Sequence, residues 1–222
     1  LRRGLETESI LESKSFDLTG LKTNDREIGP EILRDYLATL PNNWIKGEIG
    51  GVFYVDSYFS YTDENERTVV DQSAIAFYNF RDKTIIFYKS NEGLSYQEVL
   101  STLNHEVSHG NDPASDNELT DVERKELADK LKARMVSGDR HSVWYLEYLI
   151  KHDTDQDVLM GEYWAEICDQ YFTDPTKLHL DDFELVDWVV KKNDPSYNPA
   201  ERLADRERVV KRISLLPITL RP

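Results

Sequence analysis

The sequence predicts an α+β fold in which a small, mostly antiparallel sheet packs on one helix and precedes a helical C-terminal half. Residues 44–90 are rich in Val, Ile, Phe and Tyr, which favour strands, whereas apolar residues after position 94 recur at helical spacing. Of the 222 residues, 39% are hydrophobic, which is enough for one sizeable core. We therefore expect a single folded domain.

The N-terminal part of the chain is predicted to support this domain. Residues 1–29 are mostly polar and have no sustained period, so we expect an arm packed on the body. Pro30 suits the first position of a helix over residues 30–40, which Pro41 ends. Residues 30–222 then form one domain with a helical C-terminal extension, including a charged amphipathic helix at residues 198–216.

The middle of the chain is predicted to supply the sheet. Residues 52–59, 68–77 and 84–88 are rich in β-branched and aromatic residues and indicate three or four strands. An acidic loop lies at residues 63–66, between the first two runs. Residues 79–82 have the composition of a hairpin turn, so the strands on either side should be antiparallel neighbours.

The helix that follows the last strand carries the most informative motif. Ser95 and Glu98 have the spacing of a capping box, and apolar residues then follow at helical intervals to about residue 109. On this helix His105 and His109 lie one turn apart on the same face, with Glu106 beside them. The motif is H-E-x-x-H, and its helical context agrees with its chemical interpretation.

This motif predicts a zinc-dependent hydrolase. Two imidazoles one helical turn apart can bind a single tetrahedral Zn²⁺ at about 2.0–2.1 Å. A neighbouring carboxylate can take a proton from the attacking water and give it to the leaving amine of a peptide bond. We therefore expect one zinc ion per chain, with Glu106 as general base. The alternative is that two histidines fall four residues apart by coincidence on an ordinary amphipathic helix.

A catalytic zinc ion needs a third protein ligand from elsewhere in the chain. The metzincin pattern requires Gly at 112 and His at 115, but this chain has Asp112 and Ser115. Glu162 and Glu166 share one face of a helix predicted over residues 158–172, and two carboxylates there favour a nearby cation. An acidic, solvated helix face is the alternative interpretation. The fallback ligands are His141, His152 and His179.

Together the two motifs resemble those of gluzincin peptidases related to the anthrax lethal factor catalytic domain and to the clostridial Pro-Pro endopeptidases. The resemblance covers residues 84–172. It implies a zincin-like fold, with a small sheet over a helical half. It also implies that Glu162 is the third zinc ligand and that Glu166 is a neighbouring residue that holds the ligands in position.

The chain departs from this family at one position. The family usually has a Tyr seven residues before the glutamate ligand, where it stabilises the tetrahedral oxyanion, but this chain has Asp155 there. An ionised carboxylate cannot stabilise an oxyanion, so the candidates for that role are Tyr145, Tyr148, His152 or a tyrosine elsewhere in the chain. The departure motivates a second hypothesis, in which the chain is a catalytically weak or inactive zincin-like module that binds proteins.

Composition limits the partners of the chain. The net charge of −15 disfavours nucleic acid, and no apolar run reaches the roughly 20 residues of a membrane span. We expect a peptide or protein substrate that pairs with the strand at residues 84–88.

The resemblance to lethal factor motivates a third hypothesis, a toxin or effector peptidase with one protein target. The oligomeric state stays open, and the lone Cys168 leaves open both a cytoplasmic protein and a secreted one that has lost a signal peptide.

Overall fold

The computed structural model describes residues 11, 14–19, 21, 23, 28–46, 49–63, 65–112, 119–136 and 156–216. These residues form a four-stranded sheet, a two-stranded hairpin and several helices that share one hydrophobic core. The expected α+β class is confirmed. None of the helices in these ranges is long and apolar enough to cross a membrane.

The main sheet is mixed rather than mostly antiparallel. Its strands, in spatial order, are β1 (Ser15–Asp17), β2 (Gly51–Val55), β6 (Thr84–Tyr88) and β5 (Ala76–Asn79). The pairs β1–β2 and β2–β6 are parallel, and only β5–β6 is antiparallel. A separate antiparallel hairpin is formed by β3 (Phe59–Thr62) and β4 (Thr68–Asp71). Because this hairpin carries the chain away between β2 and β5, β2 and β6 are joined by a long connection and can lie parallel.

Side-chain turns divide two of the runs that were predicted as single strands. The run at residues 68–77 breaks after Asp71, whose carboxylate accepts hydrogen bonds from the backbone N–H groups of Ser73, at 2.8 Å, and Ala74, at 3.3 Å. The run at residues 52–59 breaks where the Ser57 N–H bonds to the Val55 carbonyl at 2.8 Å. Such local bonds compete with the sheet ladder, and hydrophobic periodicity does not reveal them.

The predicted hairpin at residues 79–82 is confirmed. Asn79 Oδ1 accepts hydrogen bonds from the N–H groups of Arg81 at 3.0 Å and Asp82 at 3.4 Å, and Lys83 completes the turn with a φ of 53°. Because β6 is hydrogen-bonded on both sides, by β2 and β5, it cannot accept a further strand. The expectation that a peptide pairs with Thr84–Tyr88 is therefore wrong, and in the described sheet the edge strand on this side is β5.

Helices supply most of the remaining described structure. They are α1 (Pro30–Leu37), α2 (Asn42–Lys46), α3 (Tyr96–Gly110), α4 (Asp121–Val136), α5 (Gln156–Thr173), α6 (Leu180–Asn193) and α7 (Pro199–Ser214). The predicted helices at residues 30–40, 95–109, 158–172 and 198–216 are all present, with Pro30 in the first turn of α1. Helix α3 packs against α5, β5 and β6, and α7 packs against α1.

The described residues of the N-terminal segment include a short strand that was not predicted from the sequence. Leu18, Leu21 and Ile28 are buried in the core, and β1 extends the sheet beside β2. The sequence did not predict this strand because its three residues, with Phe16 between two polar neighbours, are too short for a period to emerge.

Candidate metal centre

Helix α3 carries the H-E-x-x-H motif on a well-fixed scaffold. The predicted capping box is formed: Ser95 Oγ accepts from the Glu98 N–H at 3.3 Å, and Glu98 Oε2 accepts from the Ser95 N–H at 2.7 Å. These bonds satisfy N–H groups that have no partner within the helix. Val99, Leu103 and Val107 bury the opposite face in the core, which fixes the rotation of the helix and directs the histidines towards α5.

Helix α5 brings Glu162 against the two histidines. His105 Nε2 lies 3.1 Å from His109 Nε2 and 3.2 Å from Glu162 Oε2. His109 Nε2 lies 3.6 Å from Glu162 Oε1. Within the described residues these three side chains are the one group of His, Cys, Asp and Glu whose ligand atoms converge closely enough for a single metal ion.

These separations fit a tetrahedral metal site. In a tetrahedron with metal–ligand bonds of about 2.05 Å, neighbouring ligand atoms are about 3.3 Å apart. The separation of 3.1 Å between the two histidines, and those of 3.2 and 3.6 Å from them to the two different oxygens of Glu162, lie near that value. Two imidazoles and one carboxylate are also a ligand set that zinc uses in hydrolases, with a fourth position left for water or substrate. The residues present therefore fit a zinc ion.

The electrostatics of the cluster favour a positive charge between these side chains. Burial lowers the pKa of His105, but the hydrogen bond with Glu162 and the charges of Glu106, Glu162 and Glu166 outweigh it and raise that pKa to about 9. Several carboxylates around one imidazole thus stabilise a cation, which a divalent metal ion would supply in place of a proton.

The other two ligand candidates are held in the protonation states that metal binding requires. Burial and the charge of His105 lower the pKa of His109 to about 4, so its imidazole is neutral at pH 7. Burial raises the pKa of Glu162, but its hydrogen bond with His105 and the charges of both histidines lower it overall, so the carboxylate is ionised. A neutral imidazole and an ionised carboxylate are the forms that bind a metal.

Glu106 lies beside the ligands and is buried, with 8% of its surface exposed. Burial raises its pKa to about 7; the charge of Glu162 acts in the same direction, whereas His105 and a hydrogen bond from the Tyr78 backbone N–H oppose it. A carboxyl group with a pKa near 7 can accept and return a proton at neutral pH, as a general base must.

Glu166 approaches the far side of the His105 ring. Its Oε2 is 3.8 Å from His105 Nδ1, on the opposite side of the imidazole from Glu162. Gln170 Nε2 donates to Glu166 Oε1 at 3.2 Å and helps to hold this carboxylate. A carboxylate at the second ring nitrogen commonly orients a metal-binding histidine. Its position agrees with the supporting role that the family resemblance implies.

A buried polar network behind the ligands joins α3 to α5, and sequence reasoning missed it. Asn104, which precedes His105, donates through Nδ2 to Tyr36 Oη at 2.8 Å and to Asp169 Oδ1 at 3.1 Å. Ser101 Oγ donates to Asp169 Oδ2 at 2.5 Å. Asp169 follows Glu162 by two turns of α5, so the network fixes the two ligand-bearing helices relative to each other. The signal for this network in the sequence was a polar residue, Asn104, at a position of α3 that faces the core.

Hydrogen bonds also hold Asn111, at the C-terminal end of α3, against α2 and α5. Asn111 Nδ2 donates to the carbonyls of Trp44, at 3.1 Å, and Val107, at 3.0 Å. The Trp164 Nε1–H donates to the Asn111 carbonyl at 3.0 Å. Trp164 lies two residues after Glu162, so this bond fixes the turn of α5 that carries Glu162. The indole rings of Trp44 and Trp164 also pack together, with centroids 6.2 Å apart.

Strand β5 forms the other side of the site. The Tyr88 N–H bonds to the Ile75 carbonyl at 3.0 Å, which makes residues 75 and 88 a hydrogen-bonded pair of the antiparallel ladder. Because such pairs alternate, Phe77 and Asn79 direct their backbone groups to β6, while Ala76 and Tyr78 direct theirs to the edge. The N–H that reaches Glu106 is that of Tyr78, so this edge faces Glu106.

The remaining candidates divide into two sets. His179 is not part of the cluster, because its Nδ1 accepts the Asp181 N–H at 3.3 Å and caps α6. Cys168 is fully buried on α5, and burial raises its pKa well above the usual value, so it is not a thiolate ligand at neutral pH. The other candidates lie outside the described residues: Tyr145, Tyr148, His152, His141 and Asp155.

Comparison with known proteins does not assign the chain to a family. No protein-family model matches it, and no curated protein matches it.

Proposed function

We propose that this chain is a zinc-dependent endopeptidase. The observation that carries the proposal is the convergence of His105, His109 and Glu162 closely enough to hold one metal ion, with Glu106 beside them. Two features support it: the protonation states of His109 and Glu162 suit a metal, and burial raises the pKa of Glu106 to about 7. The family resemblance of the two motifs agrees with this proposal.

In this proposal each residue has a separate task. His105, His109 and Glu162 would hold the zinc ion, and Glu166 would orient the His105 ring from Nδ1. When bound, zinc polarises the scissile carbonyl and lowers the pKa of water. Glu106 accepts the proton of the attacking water and passes it to the leaving amine, for which a pKa of about 7 is suited.

The substrate would lie along the edge of β5. A peptide in extended conformation can add a strand to an exposed sheet edge through backbone hydrogen bonds. Ala76 directs its backbone N–H and C=O to this edge, and pairing there places a peptide next to Tyr78, whose N–H donates to Glu106. This arrangement replaces the earlier expectation of pairing with β6 and holds the peptide backbone at the general base.

The test is cleavage of a randomised peptide library by the zinc-loaded protein, with products identified by mass spectrometry. We expect chelator-sensitive cleavage by the wild type and a loss of about 10²- to 10⁴-fold in Glu106→Gln, which is the range for removal of a general base. Glu106→Gln should keep its zinc. The matched control is Glu184→Gln, because Glu184 is exposed on α6, away from the ligands.

Two results would contradict the proposal in different ways. A zinc-loaded wild type that cleaves nothing in the library would support the binding-module hypothesis, in which the metal site has a structural role. Cleavage that survives in Glu106→Gln would show that a different group moves the proton. A reproducible, chelator-sensitive product would exclude the inactive module.

A further inference from the structure

Exposed apolar side chains concentrate on the strand side of the site. Among the described residues, eleven large hydrophobic side chains are exposed, and six of them fall between residues 55 and 80. These six are Val55, Tyr58, Tyr61, Val70, Phe77 and Phe80. The other five are distributed over α4, α5, α6 and the end of α7. Single exposed apolar residues are normal, so only those whose rings contact one another indicate a binding surface.

Two of these residues, Tyr61 and Phe77, form an aromatic shelf together with Phe59, and we define the shelf as these three rings. The Phe59 ring stacks on the Phe77 ring with centroids 5.6 Å apart and planes inclined by 25°, and it lies 6.0 Å from the Tyr61 ring. Tyr88 supports Phe59 from β6 with a centroid distance of 5.4 Å. Phe77 and Tyr61 remain 42% and 49% exposed, so the shelf presents aromatic surface to an incoming group.

The shelf is continuous with the edge that faces the general base. Phe77 belongs to β5 and is the immediate neighbour of Tyr78, whose N–H reaches Glu106. Successive side chains of a strand point to opposite faces of the sheet. Tyr78 is buried on the core side, so Phe77 and the shelf lie on the outer side of the same strand. A peptide paired with β5 would therefore contact the shelf with every second side chain.

We infer that the shelf selects the substrate: an extended peptide with bulky apolar side chains at two positions separated by one residue. This inference rests on the proposed function and names its substrate class. The alternate spacing follows from the strand period, and the apolar preference follows from the aromatic lining. The net charge of −15 further disfavours acidic peptides through long-range repulsion.

The experiment selects binders from a randomised decapeptide library on immobilised, zinc-loaded Glu106→Gln protein, which retains peptides without cleaving them. We expect enrichment of Phe, Tyr, Leu, Ile or Met at positions i and i+2. A synthetic peptide with this pattern should bind about tenfold more tightly than its counterpart with Ala at both positions, as expected for apolar side chains in an apolar site. Binding is measured by fluorescence anisotropy.

Two variants in the same Glu106→Gln background isolate the shelf. Phe77→Thr removes the aromatic ring but keeps a residue that favours strands, and it should abolish the tenfold preference. The control is Trp188→Ala on α6, because Trp188 is 40% exposed, close to the value for Phe77, but is distant in sequence from the shelf. This variant should keep the preference.

The possible outcomes distinguish failure of the inferred peptide selectivity from failure of the proposed peptidase activity. Equal affinity for the apolar and Ala peptides, or an unchanged preference in Phe77→Thr, would overturn the shelf as a selectivity element. Selective binding with no cleavage of the selected peptides by the wild type would instead overturn the proposed peptidase. If the wild type is a dimer that Phe77→Thr dissociates while peptide preference is unchanged, the shelf binds a second copy and the inference is wrong.

Discussion

The two sides of the candidate site differ in burial and in bonding. The helical side, α3 and α5, consists of buried or partly buried polar groups, such as Asn104 and Asp169, joined by hydrogen bonds of 2.5 to 3.2 Å. The strand side, β5 with the β3–β4 hairpin, presents half-exposed aromatic rings such as Phe77. The helical side therefore holds its polar side chains in fixed positions, whereas the strand side exposes aromatic surface to solvent.

This difference agrees with two separate tasks. Metal ligands and a general base must keep their geometry within a fraction of an ångström, and a packed, hydrogen-bonded interface provides that. A surface that admits a peptide must be accessible and tolerant of different side chains. Substitutions on the helical side should therefore change metal binding and stability, whereas those on the strand side should mainly change peptide preference.

The largest expected effect is the loss of metal affinity in Glu162→Ala. This change removes one of three ligands, so zinc affinity should fall by more than the roughly 10- to 100-fold that loss of a supporting residue costs. Competition against a chromophoric chelator measures it. The control Glu184→Ala removes an exposed acid from α6 and should bind zinc as the wild type does. Equal zinc affinity in both variants would remove Glu162 from the ligand set.

The second effect is a pH dependence of stability that arises from Asp169. Burial raises its pKa from 3.8 to about 6, while hydrogen bonds from Ser101 and Asn104 and the charge of His105 oppose the shift and that of Glu166 adds to it. Because the folded state binds this proton more tightly, the stabilisation is full below about pH 4 and is lost as pH rises to about 6. Two pKa units correspond to about 3 kcal/mol.

The neutral isostere Asp169→Asn isolates this contribution. Urea unfolding of chelator-treated protein between pH 4 and 7 should show that the wild type loses stability relative to the variant across pH 4–6, because the other titrating groups are common to both proteins. Two parallel stability curves would mean that Asp169 stays ionised in the folded protein.

A smaller effect is expected for Asn104→Ala. It removes the donor to Tyr36 Oη and Asp169 Oδ1 and leaves both groups buried with one partner fewer, so the free energy of unfolding should fall by about 2 kcal/mol. Denaturant unfolding measures the change. Ser101→Ala is the matched variant that removes only the bond to Asp169 Oδ2, and it should cost less. A larger loss in Ser101→Ala would contradict this account of the network.

The smallest effect is expected on the strand side. Phe77→Thr should lower the free energy of unfolding by about 1 kcal/mol, because it removes the stacking on Phe59, while the ring is already 42% exposed and Thr favours strands. Its zinc content should equal that of the wild type. A loss of several kcal/mol, seen in the same unfolding assay, would mean that Phe77 is part of the folded core and that the two sides do not differ as described.

Local sequence signals predicted the helical side well. The capping box at Ser95, the apolar face of α3 and the spacing of His105 and His109 are short-range features, and each survives in the structure. The pairing with Glu162 lies 57 positions away in sequence, and the family resemblance, together with the need for a cation beside two carboxylates, pointed to it.

The strand side was harder to predict because its features depend on tertiary contacts. Which strand lies at the sheet edge depends on the parallel pairing of β2 with β6, and no local pattern encodes it. The Asp71 turn and the three-residue β1 are too short for periodicity to reveal. The Asn104–Asp169 contact joins residues 65 apart, so the sequence showed two polar residues without their partnership.

The most direct test of the central claim is zinc X-ray absorption spectroscopy on the reconstituted wild type and on His109→Ala. The ligand set His105, His109 and Glu162 predicts one zinc per chain, with nitrogen and oxygen ligands at about 2.0–2.1 Å, two of them imidazoles. One imidazole should disappear in His109→Ala if the variant retains zinc. Substoichiometric zinc in the wild type, a sulfur ligand at about 2.3 Å, or an unchanged spectrum in His109→Ala would contradict it.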